Sequence, residues 1–167
     1  MGIESYKQDL IYSNGISISG DSAVPLVGGN ATELPFRDDY FTKMTLHCSI
    51  EHFEGDDDVN FMHEAARVLR PQGKLCILPL YFGESYHLVT DPRVYAEEKE
   101  SIRFEEGIPI YVKTGYGNRH CRVYSVEEFK RRVADPEIWN VDIFRISNLD
   151  EVGSGLYCHY AALITKR

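Results

Sequence analysis

Apolar and polar positions alternate most clearly between residues 43 and 50. This pattern predicts a half-buried strand over Lys43–Ile50. Four apolar side chains would lie on one side of it: Met44, Leu46, Cys48 and Ile50. The run Lys74–Phe82 is instead almost continuously apolar, which is typical of a strand buried on both faces. The two segments therefore predict the central strands of a sheet.

Two helices are predicted from spacing and from their first residues. The acidic run Asp56-Asp57-Asp58 would begin the first, because acidic side chains suit the free N–H groups and the dipole of a first turn. Pro71 and Gly73 would end it. Ser125 and Glu128 have the spacing of a capping box and begin the second helix. The apolar faces would be Val59, Met62, Ala65, Ala66 and Leu69 in the first helix, and Val126, Phe129 and Val133 in the second.

Shorter patterns at both ends of the chain predict further strands. Ile3–Tyr12 would run into a turn at Asn14-Gly15, and Ala23–Val27 would follow as a strand that Pro25 weakens. Ile138–Ser147 and Leu156–Thr165 predict a hairpin around Gly153-Ser154-Gly155. The alternation of strands and helices predicts an α/β fold. Its sheet would be mostly parallel, with an antiparallel C-terminal strand and helices on both faces.

The segment between these halves has no sustained period and is rich in Tyr, Glu, Gly and Pro. A loop this long inside a compact domain is usually functional. We interpret residues 83–124 as a lid or substrate insertion within a single domain of residues 1–167. Its aromatic side chains could line an acceptor pocket or pack the segment against the sheet, and both interpretations stay open. These residues and their neighbours are Tyr81, Tyr86, His87, Tyr95, Tyr111, Tyr116, His120 and Tyr124.

Composition excludes several classes of protein. The formal net charge of -8 argues against a nucleic-acid partner, and we interpret the basic run Lys130-Arg131-Arg132 as a solvated helix face. No apolar run approaches the length of a membrane span, and the first residues do not have the pattern of a signal peptide. The four cysteines form no CxxC pair. Their scatter through apolar runs favours free thiols in a reducing cytoplasm.

Three motifs together resemble the class I S-adenosylmethionine-dependent methyltransferases of the group called type 11. The first is the turn from Gly28-Gly29-Asn30-Ala31 through Leu34-Pro35-Phe36 to Phe41. The second is the strand end Leu46–Phe53. The third, Ala65–Leu75, is similar to the helix-to-strand junction of the family, with Gln72 in the place of its first glycine. The resemblance extends from about Tyr6 to Arg167 and implies a Rossmann-like sheet.

By this resemblance the cofactor is S-adenosylmethionine, and the methyl acceptor is a small molecule. Asp9 would accept hydrogen bonds from the ribose hydroxyls, because a carboxylate can hold both. Asn30 and Ala31 would flank the adenine ring. The end of the next strand would line the cofactor cleft with His47, Cys48 and Ser49. The alternative for Asp9 and Asn30 is a structural role in turns.

His52 is the candidate catalytic residue, as a general base, because an imidazole titrates near neutral pH. The alternative is a histidine that only forms structural hydrogen bonds, since methyl transfer to an oriented nucleophile depends mainly on proximity. A metal site was weighed for His47, Cys48, Glu51 and His52. Without HxxxH or CxxC spacing, no metal is predicted.

The sequence departs from the family before Asn30. No strand with a glycine-rich turn stands there, although the family holds the cofactor carboxylate with the N–H groups of such a turn. The resemblance therefore predicts a truncated Rossmann-like methyltransferase sheet and weak cofactor binding. The alternative function is a non-catalytic methyltransferase-like interaction module. The gap would bare two strand edges, Ile3–Tyr12 and Lys43–Ile50, which predicts either their direct pairing or a homodimer with the N-terminal strands at or near its interface.

Overall fold

A computed structural model describes residues 5–18, 24–153 and 157–167. The strands are β1 (Lys7–Ser17), β2 (Leu26–Gly28), β3 (Phe41–His47), β4 (Leu69–Leu80), β5 (His87–Thr90), β6 (Ile110–Val112), β7 (Cys121–Val123), β8 (Trp139–Arg145) and β9 (Tyr160–Lys166). The helices are α1 (Asp57–Val68), α2 (Pro92–Glu98), α3 (Val126–Arg132) and α4 (Leu149–Val152), and short 3₁₀ turns span Ile50–His52 and Lys99–Ser101. No helix within the described residues is long and apolar enough to cross a membrane.

The main sheet has four strands in the order β3-β4-β9-β8. β3 is parallel to β4, with Met44 opposite Leu75, whereas β9 is antiparallel to both β4 and β8. The predicted α/β fold and the antiparallel C-terminal strand are therefore confirmed. The sheet is mixed rather than mostly parallel, because the C-terminal hairpin adds two antiparallel pairs to a single parallel one.

The two predicted helices form close to their expected ends. Ser125 Oγ accepts a hydrogen bond from the N–H of Glu128 at 3.1 Å, so the cap of α3 is confirmed. Helix α1 ends at Val68, and its buried face differs from the predicted one. Val59 and Ala66 are only partly buried. The buried residues of α1 are Asp58, Phe61, Met62, Ala65 and Val68.

Asp58 is buried because two arginines from distant segments neutralise it. Its carboxylate pairs with Arg122 of β7 and Arg132 of α3, and it accepts a hydrogen bond from Tyr124 Oη at 2.8 Å. The interpretation of Lys130-Arg131-Arg132 as a solvated face is therefore wrong for Arg132, which is buried. Removal of one partner from a buried ion pair of this kind lowers the free energy of unfolding by about 3–5 kcal/mol. The cluster ties α1, β7 and α3 together.

The segment between β4 and α3 is not the structureless loop that the sequence predicts. It holds α2 and a small sheet in the order β6-β5-β7, in which β5 is parallel to β6 and antiparallel to β7. These strands have three or four residues each. Strands this short contain too few positions for an alternating pattern to stand out.

The N-terminal strand pairs with β2 rather than with β3. Lys7, Gln8 and Asp9 lie opposite Leu26, Val27 and Gly28, and the register breaks at Asn14-Gly15, where Gly15 has a φ of 94°. Direct pairing of Ile3–Tyr12 with Lys43–Ile50 is not found within the described residues, which exclude Ile3, Ala23 and Leu156.

An aromatic cluster nevertheless holds this N-terminal strand beside the start of β3. The ring of Tyr6 packs edge-on against Phe36 and Phe41, and its hydroxyl lies 2.9 Å from that of Tyr40. Edge-to-face aromatic pairs contribute roughly 0.5–1.5 kcal/mol each beyond the area that they bury. The cluster therefore fixes the distance between the start of β1 and the start of β3.

Candidate functional site

A cleft of about 470 Å³ lies between β1, the turn after β2 and the end of β3. Six of the seven residues that the sequence analysis singled out line it: Asp9, Asn30, Ala31, Cys48, Ser49 and His52. The remaining lining residues are Gln8, Leu10, Leu46, Phe53, Glu54, Asp57 and Arg103. The structure thus brings residues from β1, from the turn after β2 and from the end of β3 to one place.

The chain turns sharply after β3, and this turn brings three of the predicted residues to the cleft. The strand ends at His47 rather than at the predicted Ile50, because Cys48 adopts a left-handed φ of 48°. Ser49 Oγ then donates a hydrogen bond to the carbonyl oxygen of His47 at 2.8 Å, and the 3₁₀ turn that follows ends at His52. His47 itself does not line the cleft, and its Nε2 lies 3.7 Å from Cys48 Sγ.

The opposite wall comes from β1 and from the turn after β2. Gln8 Nε2 donates to the carbonyl oxygen of Gly29 at 2.5 Å and joins the two segments. Asp9 is exposed, and its Oδ1 accepts the N–H of Ile11 at 3.2 Å. Asn30 Oδ1 accepts the N–H of Thr32 at 3.1 Å. Each of the two polar side chains therefore supports its own turn while it faces the cleft.

The orientation of His52 is set by one strong hydrogen bond. Its Nδ1 lies 2.6 Å from the carbonyl oxygen of His120. Because a carbonyl oxygen only accepts, Nδ1 carries the proton, and Nε2 of the neutral ring presents a lone pair. Nε2 lies 3.8 Å from Glu51 Oε1, and 39% of the His52 side chain is exposed. The ring is thus positioned to accept a proton from a molecule in the cleft.

Two titratable groups are buried behind His52. Burial raises the pKa of Glu51, whose Oε2 has no hydrogen-bond partner among the described residues. Burial and the nearby charge of Arg122 lower the pKa of His120 to about 4, so its ring is neutral at physiological pH. Burial thus shifts the pKa of both groups toward their uncharged forms.

The cleft residues that the sequence analysis missed are mostly acidic or distant in the chain. Burial raises the pKa of Glu54, but hydrogen bonds from Arg103 and Arg119 outweigh it and hold that pKa below its ordinary value. Glu54 and Asp57 follow His52 closely, so their proximity to the site could have been inferred. Arg103 comes from the segment between α2 and β6, and no local motif points to it.

The described residues contain no group of three or more histidine, cysteine, aspartate or glutamate side chains that could hold a metal ion. In particular, His47 and His52, which the metal alternative would have combined, are separated. His47 lies outside the cleft, and Nδ1 of His52 is bound to a backbone carbonyl. All four cysteines are free thiols.

Residues 8–77 match the family model described as a methyltransferase domain. The matched range contains every cleft residue except Arg103. One curated relative, the mitochondrial 2-methoxy-6-polyprenyl-1,4-benzoquinol methylase of Dictyostelium discoideum, is 28% identical over 120 residues. The alignment covers 71% of this chain and 35% of the relative, so the chain spans about a third of the relative's length.

Solved structures share the fold at low sequence identity. A protein of Pyrococcus horikoshii is 19% identical with a TM-score of 0.53, over 99% of this chain and 72% of that one. An S-adenosylmethionine-dependent methyltransferase of Methanosarcina mazei is 13% identical with a TM-score of 0.56, over 97% and 81%. The 1,6-didemethyltoxoflavin-N1-methyltransferase of Burkholderia thailandensis, whose structure contains S-adenosylhomocysteine, is 16% identical with a TM-score of 0.55, over 86% and 51%.

Proposed function

We propose that the cleft binds S-adenosylmethionine and serves methyl transfer to a small molecule. Two findings support this proposal: the match to the methyltransferase-domain family model and the fold shared with an S-adenosylmethionine-dependent methyltransferase. The observation that carries the proposal is the convergence of six predicted residues from three separate segments of the chain on one cleft. S-adenosylmethionine is the cofactor that the family match supports.

The residues present in the cleft fit this cofactor. A volume of about 470 Å³ lies within the usual range for small-molecule sites, roughly 300–1,000 Å³. The acidic side chains of Asp9 and Glu54 suit a ligand that carries a sulfonium and an ammonium group, whereas Asp57 is already paired with Arg103. In the proposal Asp9 holds the ribose hydroxyls, while Asn30 and Ala31 flank the adenine. The bound cofactor would supply an electrophilic methyl group.

His52 is proposed as the group that takes the acceptor's proton. Its Nδ1–H is committed to His120, so Nε2 is the basic atom, and it belongs to a residue that lines the cleft. A general base within hydrogen-bond reach of the acceptor typically contributes 10²–10⁴-fold, as an order of magnitude. The segment 83–124 is proposed as the lid and acceptor-binding insertion, because it contributes Arg103 to the cleft and the carbonyl of His120 to His52.

The acceptor class is proposed from two relatives. The Dictyostelium relative is named a polyprenyl-benzoquinol methylase, and the Burkholderia structure contains 1,6-didemethyltoxoflavin, so both names refer to compounds with a ring system. A small molecule with a ring system is therefore the acceptor class that we propose here. Free thiols at all four cysteines support the expected cytoplasmic setting.

A second function, a methyltransferase-like interaction module, is favoured by one specific observation, the exposed aliphatic side chains of β1. They also support the homodimer that we propose, with the N-terminal strands at its interface. Cofactor binding separates the two functions.

Calorimetric titration with S-adenosylhomocysteine tests the proposed function. We expect measurable, saturable binding of S-adenosylhomocysteine to the wild-type chain. Asp9→Ala should weaken it on the order of tenfold or more. Asp142→Ala removes an equally exposed carboxylate from β8 and should leave the affinity unchanged. Equal affinities for wild type and Asp9→Ala would remove Asp9 from the site, and no binding at all would favour the interaction module.

A further inference from the structure

Arg103 brings the one guanidinium group to a cleft whose other fully charged residues are acidic. Among the described residues that line it, Asp9, Glu54 and Asp57 carry negative charge. Such a lining opposes the carboxylate in the amino-acid portion of S-adenosylmethionine. A cationic group suits that carboxylate, and Arg103 is the guanidinium among the described residues that line the cleft.

We propose that Arg103 binds the carboxylate of the amino-acid portion of S-adenosylmethionine. The inference rests on the proposed function, since it assumes that the cleft takes this cofactor. In the family that the chain resembles, backbone N–H groups of a glycine-rich turn bind this carboxylate. Here a side chain of the 83–124 segment would bind it. The proposal makes this segment part of the cofactor site as well as of the acceptor site.

The backbone of Arg103 is fixed against the loop that leads from His52 to α1. Its N–H donates to Glu54 Oε2 at 3.0 Å, and its carbonyl oxygen accepts the N–H of Gly55 at 3.0 Å. Gly55 has a left-handed φ of 58°, and a Cβ built on it would lie 3.6 Å from Arg103 Cβ. Two hydrogen bonds across this junction place the residue at the cleft, although it follows Glu54 by 49 positions.

The guanidinium of Arg103 is held by Asp57 but is still accessible. Nη1 donates to Asp57 Oδ1 at 3.3 Å, Nη2 pairs with Oδ2, and 61% of the arginine side chain is exposed. An exposed ion pair contributes little, typically about 0–1 kcal/mol. Because a guanidinium has five N–H donors in a planar fork, it can bind a second carboxylate or exchange one for another at small cost. Asp57 therefore keeps Arg103 at the cleft and competes with the ligand for it.

A comparison of two ligands isolates the proposed contact. S-adenosylhomocysteine has the amino-acid portion, whereas 5′-methylthioadenosine lacks it and keeps the nucleoside. Calorimetry with both would be carried out on wild type, Arg103→Ala, Arg103→Lys, Asp57→Asn and Arg93→Ala. Arg93 lies on α2 outside the cleft and is the matched control for the loss of an arginine.

We expect Arg103→Ala to weaken S-adenosylhomocysteine binding by about tenfold or more, the loss of one charge-assisted hydrogen bond, and to leave 5′-methylthioadenosine within about twofold. Arg103→Lys should keep part of the S-adenosylhomocysteine affinity, because lysine keeps the positive charge but lacks the planar set of N–H donors. Asp57→Asn should tighten S-adenosylhomocysteine binding, since it removes the competing carboxylate. Arg93→Ala should change neither affinity.

Three results would overturn the inference, and they are separable from failure of the proposed function. Equal losses for both ligands in Arg103→Ala, or no loss for either, would show that Arg103 does not contact the carboxylate. Weaker S-adenosylhomocysteine binding in Asp57→Asn would show that the pair acts only as a loop support, and this test remains available if Arg103→Ala does not fold. If wild type binds neither ligand, the proposed function and the inference both fail.

Discussion

At the scale of single residues, the site is built on side chains whose charge state is set by burial. His120 shows this most clearly. Burial and the charge of Arg122 lower the pKa of its ring to about 4 from an ordinary 6.5, and its backbone carbonyl orients His52. A neutral His120 adds no positive charge of its own behind the proposed base. The same desolvation raises the pKa of Glu51 beside it.

We expect His120 to make the stability of the protein depend on pH in a defined direction. Between pH 6.5 and about 4 the unfolded state binds a proton at this ring that the folded state does not. The stabilisation that His120 contributes is therefore fully present above its pKa in the unfolded state. It is lost as the pH falls toward its pKa in the folded state. Its size across this window is on the order of 3 kcal/mol.

Chemical denaturation of wild type and His120→Gln at about pH 7 and about pH 4 measures this contribution. The free energy of unfolding of wild type should fall more than that of the variant as the pH is lowered. Glu51 and the other carboxylates titrate in both proteins, so the difference between the two isolates His120. Parallel pH profiles would contradict a depressed pKa at this position.

At the scale of elements, patterns within a few residues predicted the secondary structure well, whereas contacts between distant segments could not be predicted from such patterns. The cap at Ser125 and the C-terminal hairpin follow from local spacing, and both are present. Asp58 has the pattern of a solvated first-turn acid, but Arg132 reaches it from 74 positions further along the chain. The left-handed Cys48, which shortens β3, has no signature in the sequence because non-glycine residues rarely adopt this φ.

The cleft residues that belong to short local motifs could be predicted from the sequence, whereas those that depend on contacts between distant segments could not. Asp9, Asn30 and His52 each belong to a short motif with a recognisable neighbourhood, and all three line it. Arg103 has no such neighbourhood, since its place depends on two hydrogen bonds to the loop at Glu54 and Gly55. His47 belongs to a motif, yet it misses the cleft because β3 ends at that residue.

The pairing of β1 with β2 depends on a glycine at position 28. A Cβ built on Gly28 would lie 2.1 Å from the carbonyl oxygen of Ser13, far inside any real contact. Gly28→Ala should therefore push β1 away, displace Asp9 and weaken S-adenosylhomocysteine binding. Amide hydrogen exchange at Lys7–Asp9 should become faster in the same variant.

Gly107→Ala is the control for this change. Position 107 has a left-handed φ of 77°, but a Cβ there would meet no atom within 4 Å. This variant should lose stability, about 1–2 kcal/mol from backbone strain, without faster exchange in β1. Wild-type exchange protection of Lys7–Asp9 in Gly28→Ala would show that the close approach at Ser13 does not hold the pair together.

At the scale of the whole molecule, β1 and the residue that follows it expose several aliphatic side chains. Leu10 is 73% exposed, Ile11 81%, Ile16 52% and Ile18 82%. Exposed apolar surface of this kind marks an interaction site in many soluble proteins. We therefore expect a homodimer by light scattering at about tens of micromolar, a range in which modest dimers are populated.

Ile11→Lys combined with Ile18→Lys should make the protein monomeric, because each lysine would carry charge into the interface. Neither residue lines the cleft, so S-adenosylhomocysteine binding should persist. Val126→Lys, at a site on α3 that is 49% exposed, should leave the dimer intact. A wild-type chain that scatters as a monomer would contradict the proposed dimer.

A two-dimensional amide NMR titration with S-adenosylhomocysteine tests whether this cleft binds the cofactor. We expect dose-dependent shifts concentrated at Asp9, Asn30-Ala31, Cys48–His52 and Arg103, and little change in a second groove, which Asp91 and Gly117 line. Shifts confined to that second groove, or no shifts at about millimolar ligand, would contradict cofactor binding in the cleft.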